Sequence, residues 1–232
     1  RDRGDTTQSC RGRAVIGWAN NPVNTGMDYF SIQSMGNSIS FGSLTSGNRW
    51  GSHALSSSTR GLFVGGYINT PASTFFNEIE FLTIATEGKV FDFGNLSAQA
   101  YKVGALSNQT RAVFALGYVA PNFAKSNVID FVTIATAGNA TDFGNMTSAN
   151  KNPAGMASPT RGLLVHGGDP LTNVIDFITI ASAGNAQDFG DTTVAMEGAM
   201  AASSTTRGII AGGMVSPAEN NTISFVTIAS AG

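Results

Sequence analysis

The 232-residue chain carries 13 basic and 15 acidic side chains and only 12% charged residues in all. This balance excludes a basic nucleic-acid stripe. The longest apolar runs, about five to eight residues, fall well short of the roughly 20 that a membrane-spanning helix needs. A single cysteine, Cys10, excludes an internal disulfide framework and any cysteine-based zinc site. No basic-then-apolar signal segment opens the chain, so a soluble protein is expected, and a start at Arg1 rather than Met points to a processed product or a piece of something longer. Glycine is abundant at 28 residues, beside many Ser, Thr, Asn and Ala. Such a mixture predicts short strands joined by tight turns, with little helix.

Taken in order, the chain is a repeat. An arginine stands just before an apolar run at Arg13, Arg60, Arg111, Arg161 and Arg207, with spacings of 47, 51, 50 and 46 residues. The runs that follow, such as Leu62-Phe63-Val64 and Leu163-Leu164-Val165, are continuous rather than alternating, as in strands buried on both faces. Four of the five then meet glycine, at Gly65-Gly66, Gly117, Gly167-Gly168 and Gly212-Gly213. After a loop of variable length comes a second apolar strand, Ile79 to Ile84 and its equivalents, rich in β-branched and aromatic residues. A turn such as Thr136-Ala137-Gly138-Asn139 leads to a third strand centred on Phe41, Phe93, Phe143 and Phe189, and a fourth, less regular strand precedes the next arginine. The clearest copy spans residues 174–193, with a near copy at 128–147.

Four strands in a period of 46 to 51 residues are the pattern of a β-propeller blade. The repeat resembles kelch: an apolar strand ending in Gly-Gly, an aromatic in the next strand (Phe81, Phe131, Phe177, Phe225), and another one strand later (Phe93, Phe143, Phe189). It departs from kelch in having Phe where Trp is usual, and in the first unit, where Trp18 and Ala19 replace the glycine pair. The expected fold is therefore all-β: one five-bladed, kelch-like β-propeller with about four antiparallel strands per blade and approximate units 1–47, 48–98, 99–148, 149–194 and 195–232. Closure allows two readings. Residues 2–7 match 188–193 at five of six positions, as an outer strand of the last blade would. The nine-residue gap from Gly4 to Arg13 equals those from Gly51 to Arg60 and Gly198 to Arg207, as an inner strand of the first blade would. The inner-strand reading is preferred, because the other leaves the first unit without an innermost strand. It also leaves the fifth blade without its outer strand, and so with an edge to be covered.

Because the arginine recurs on every unit, a structural role is expected, bonding turn carbonyls or a carboxylate, with Asp92, Asp142 and Asp188 as possible partners. Seven of the fifteen carboxylates sit at repeat positions: Asp28, Glu80, Asp130 and Asp176 in one strand, and Asp92, Asp142 and Asp188 in the next. The others, such as Glu78, Asp169, Glu197 and Glu219, are spread over different blades, so the two or three converging carboxylates of a glycosidase are not expected. His53 and His166, the only histidines, lie in no nucleophile motif. No catalytic residue, metal ligand or cofactor is assigned. Arg3-Gly4-Asp5 spells an adhesion tripeptide that coincidence explains in so glycine-rich a chain.

Candidate binding residues are sought where the copies disagree. In up-and-down strand order the near-invariant turns fall on one face, and the variable loops, including Asn20 to Gly26, Tyr67 to Asn77, Tyr118 to Asn127, Asp169 to Asn173 and Met214 to Asn221, fall on the other. These loops and the strand ends beside them nominate Trp18, Asn20, Asn24, Tyr67, Phe75, Phe76, Tyr118, Phe123, Lys125, His166, Asp169, Glu219 and Asn220. The units with Ile-Asp-Phe-Ile-Thr-Ile-Ala-Ser-Ala-Gly-Asn-Ala-x-Asp-Phe-Gly also resemble propeller repeats in virion proteins of tailed bacteriophages, marine and cyanobacterial ones in particular. The resemblance implies a non-enzymatic structural or adhesion module of a tail or fibre on the virion, with other virion proteins or a host-surface glycan or protein as partner, and with neither nucleic-acid binding nor membrane insertion. A secreted or cell-surface lectin is the alternative, and a five-bladed glycosidase the third reading.

Overall fold

A computed structural model describes residues 6–8, 12–17, 25–45, 49–69, 72–168, 170–215 and 217–230. The fold is an all-β, five-bladed β-propeller, each blade a small antiparallel sheet that is contiguous in sequence and runs from the axis outward. Blade 1 consists of Thr6–Gln8, Arg13–Gly17, Gly26–Ser31 and Ile39–Ser43. Blade 2 consists of His53–Ser56, Arg60–Val64, Glu78–Thr83 and Phe91–Asn95. Blade 3 consists of Gly104–Ser107, Arg111–Ala115, Ala124–Thr133 and Thr141–Asn150, and blade 4 of Ala154–Ala157, Arg161–Val165, Thr172–Thr179 and Gln187–Met196. Blade 5 has three strands among the described residues, Met200–Ser203, Arg207–Ala211 and Ile223–Thr227. Thr6–Gln8 pairs with Arg13–Gly17, so the N-terminal segment is the inner strand of blade 1.

The second strands of blades 2 to 4 read as continuous apolar runs because neighbouring blades cover both of their faces. Leu62, Phe63 and Val64 in blade 2 and Leu163, Leu164 and Val165 in blade 4 are all buried. Each such side chain contributes roughly 1.5–3 kcal/mol by leaving water. Four hydrophobic clusters result, one at each seam between consecutive blades from 1 to 5.

The repeated polar residues hold the same seams. Each arginine places its guanidinium over an aromatic ring of its own blade, Tyr29, Phe81, Phe131, Phe177 or Phe225, at 4.3–4.8 Å from the ring centre. Four of them also donate to a carbonyl of the next blade: Arg13 to Ile84 (3.0 Å), Arg60 to Ile134 (2.7 Å), Arg111 to Ile180 (2.8 Å) and Arg161 to Ile228 (3.0 Å). Turn carbonyls are thus the arginine's partners. Asp92, Asp142 and Asp188 are not; each accepts the N–H of the glycine two residues on in its own strand, at 3.1 Å, because the bulged outer strand turns the carboxylate back on itself.

That glycine ends the Asp-Phe-Gly motif, and the seam explains it. The near-invariant turn of the next blade lies along the outer strand and pairs with it: Gly138 and Ala140 donate to Phe93 and Asn95, and Gly184 and Ala186 donate to Phe143 and Asn145. The outer edge of one blade is thereby covered by its neighbour. A Cβ on Gly94 would lie 2.3 Å from the Gly138 oxygen, and one on Gly144 2.4 Å from the Gly184 oxygen, at φ values of +144° and +143°.

Arg111→Ala removes a charge-assisted bond and a stacking contact and is expected to cost about 1–2 kcal/mol, read as a fall in melting temperature of roughly 3–6 °C. Lysine, lacking the planar fork, should not restore it. Gly144→Ala should cost more, about 2 kcal/mol or above, because backbone rather than a side-chain tip must give way.

Candidate functional site

Strand order places the loops after the second strands and those before the inner strands on one face. Two residues before the inner strand, blades 2 to 5 share one left-handed kink, at Gly51 (φ 57°), Lys102 (φ 55°), Asn152 (φ 58°) and Gly198 (φ 68°). The kinks are tied to their surroundings by backbone bonds, Lys102 N–H to Gly51 O (2.9 Å) and Trp50 with Tyr67 in both directions (2.8 and 3.0 Å). A lysine in this conformation is less favourable than glycine.

Over blades 2 and 3 this face gathers five aromatic rings. Tyr67 lies 5.1 Å from Phe75, 5.5 Å from Tyr101 and 5.3 Å from Phe123, and Phe75 lies 4.7 Å from Phe123. Tyr101 and Tyr118 stack at 6.1 Å with an angle of 10° between planes. Such pairs add about 0.5–1.5 kcal/mol each beyond their burial. Tyr67 and Phe75 form the buried base, and the Tyr67 hydroxyl is engaged by Asn69 (3.1 Å) and Ser73 (2.8 Å). Phe123 caps the cluster, 41% exposed and itself in the left-handed region at φ 53°.

Charges lie beside the rings. Lys102 sits 5.6 Å from the Tyr101 ring centre and 3.8 Å from Glu197, and Lys151 is 3.0 Å from the other oxygen of Glu197. These contacts link segments of blades 3, 4 and 5 across the face. Arg49 is buried between Glu78 (3.2 Å) and Glu80 (3.7 Å) and stacks on Phe76 at 4.4 Å.

Three of the four repeat carboxylates of the third strands are bolts between blades, while Asp28 accepts from Ser38 of its own blade (2.9 Å). Glu80 accepts the N–H of Thr45 (3.2 Å), Asp130 that of Ser97 (2.8 Å) and Asp176 that of Thr147 (2.8 Å), each from the preceding blade. In blade 5 Ser224 takes this position and meets Thr193 at 3.3 Å. Burial pushes the carboxyls of Glu80 and Asp130 above the ordinary carboxylate range, outweighing Arg49 for the first and the Ser97 bonds for the second. Burial acts the same way on Asp176, but hydrogen bonds from His166 and Thr147 prevail and hold it below that range.

His166 is not on the rim where its variable position suggested. It is 1% exposed, its backbone N–H continues the strand ladder to Val174, and its Nε2 meets Asp176 at 2.7 Å. Tyr67 and Phe75 lie beneath the surface, Phe76 lies under Arg49, and Tyr118 and Phe123 join the aromatic cluster. Lys125, two residues after Phe123, and Glu219, in blade 5, are exposed, and Asn220 closes its own loop by bonding Gly212 and Thr222. Trp18, Asn20, Asn24 and Asp169 lie outside the described residues, as does Arg3-Gly4-Asp5. Tyr101, Lys102 and Lys151 were not nominated; aligning the residues before each inner strand, where Lys102 stands at the position of Gly51 and Gly198, was the signal that points to them.

No family model and no curated protein matches the chain. Among solved structures 376 chains match. One is the structure of YjhT, with a TM-score of 0.73 over 92% of this chain and 73% of that chain at 12% sequence identity. This likeness shows the β-propeller fold and nothing about chemistry.

Two pH dependences of opposite sign follow. The lowered Asp176 stabilises the fold above the ordinary carboxylate range, and that contribution is lost as pH falls through its folded value. The raised Asp130 does the reverse, costing stability as pH climbs from the ordinary range through its folded value. In urea titrations at stepped pH, the stability of wild type relative to Asp130→Asn should therefore shrink as pH rises, and relative to Asp176→Asn it should shrink as pH falls.

Proposed function

We propose that this chain is a non-enzymatic recognition module that binds surface carbohydrate on the loop face over blades 2 and 3. Phe123 carries the reading. A bulky side chain at positive φ is unfavourable, and this one is held there with its ring partly in water above four others. Backbone strain combined with apolar exposure points to a surface kept for a partner. The part-exposed Phe123 ring, beside the parallel rings of Tyr101 and Tyr118, offers an apolar surface to the face of a sugar, while Tyr118 and the lysines beside it offer hydrogen bonds to hydroxyls. Loops on a rigid scaffold are a common site for such recognition.

The resemblance of the repeat to phage virion propellers supports a host-surface polysaccharide as the first ligand class to try, and a tail or fibre as the setting. A secreted lectin would use the same platform. An array of bacterial and eukaryotic glycans separates the two by what is bound. Phe123→Ala is expected to weaken binding at least about tenfold while shifting the melting temperature by no more than about 3 °C. Failure of the intact chain to bind any glycan overturns the proposal, and hydrolysis of a bound glycan overturns its non-enzymatic part.

A further inference from the structure

Four seams are built alike, and the fifth position is two unfilled halves. On blade 5, Arg207 stacks on Phe225 as its counterparts do, but among the described residues its guanidinium meets no carbonyl. Around it the apolar face is open: Ile209 is 44% exposed where Leu163 is 0%, and Ile223 is 72% exposed where Ile175 is 0%. Blade 1 shows the complementary half. Ile32 stands where Ile84, Ile134, Ile180 and Ile228 stand in the other blades; those four are 0–2% exposed and Ile32 is 53% exposed. Direct contact between blades 5 and 1 would bury Ile32 under Arg207 as each of the others is buried under its arginine, and among the described residues no hydrophobic cluster spans the two.

We infer that one further blade of this same repeat, belonging to the same polypeptide, packs between blades 5 and 1. Its turn supplies the carbonyl for Arg207, its third strand covers Ile209 and Phe225, and its own arginine reaches the Ile32 carbonyl. The face continues an interface already built four times, so the chemistry of its occupant is fixed: an apolar strand pair, an isoleucine carbonyl and an outer-edge turn with glycine. A second consequence lies at the outer edge of Ile223–Thr227, which no strand pairs among the described residues and which an outer strand must pair before the new blade can dock.

The experiment compares the 232-residue chain with one extended by a second copy of residues 185–232 followed by residues 185–196, in phase because Gly232 stands where Gly184 does. Sedimentation velocity should find both monomeric, and the extended chain should melt at least about 5 °C higher. Arg207→Ala should be silent in the 232-residue chain and lower the melting temperature of the extended chain as Arg161→Ala does in both. Ile32→Ser and Phe225→Ser should likewise be near-silent in the shorter chain, a readout that does not depend on the extension folding. A drop of more than about 2 °C for either would mean that blades 5 and 1 already meet, and would overturn the inference. So would an extended chain that melts no higher, or self-association of the shorter chain abolished by Ile209→Asp, which would assign the face to a second copy.

Discussion

Everything in this propeller depends on the arginine seam. A guanidinium held over a ring of its own blade is aimed across the gap at a carbonyl of the next, Ile134 for Arg60 and Ile180 for Arg111. One planar group thereby fixes both the distance and the register between two sheets that share no backbone ladder through their cores. The apolar runs supply most of the free energy, but grease alone lets sheets slide. The carbonyl, the turn along the outer edge and the buried carboxylate of the third strand set one position out of many. In blade 4 that carboxylate, Asp176, takes two bonds from Thr147 and one from His166, so the bolt becomes a buried polar network whose members are satisfied by one another.

The division of labour between the two faces follows. Seam bonds are made by turns on one face and by strand bodies, whereas the aromatic cluster is built from loop residues of two blades, Tyr67 and Phe75 from one, Tyr101, Tyr118 and Phe123 from the other. The cluster uses the frame without being part of it. Its base is packed as a small core of its own, and only the cap faces solvent.

Much of the frame was legible because repetition exposes it. A residue that returns every 46 to 51 positions beside an apolar run must serve something common to all blades, and the arginine does. The same logic could not say which partner it takes, since the carbonyl that Arg60 meets lies 74 residues on, in the next repeat, and only the three-dimensional bulge that folds Asp92 back onto Gly94 removes the carboxylate as a partner. The glycine of Asp-Phe-Gly was visible as a motif and opaque as a cause, because the carbonyl that forbids a Cβ there belongs to the next repeat. His166 was misread for a related reason: variation at a strand end signals either a rim or an idiosyncratic core contact, and a lone histidine beside a repeat aspartate, ten residues on, belongs to the second kind. Of the aromatic cluster, loop variation pointed to four rings. Tyr101 lies just before an inner strand, where the sequence marks only a fourth, less regular strand.

The arginine bonds of blades 1 to 4 run from each blade to its successor, while at the first three seams the turn amides of the successor donate back and tie the seam in both directions. Blade 3 shows the result: its Arg111 reaches blade 4 while its Ile134 carbonyl is held by Arg60 of blade 2. Rupture of either seam leaves blade 3 tied on the far side, so opening passes from seam to seam rather than through the whole molecule at once. The aromatic cluster draws its rings from blades 2 and 3 and so shares the fate of one seam, the one that Arg60 closes.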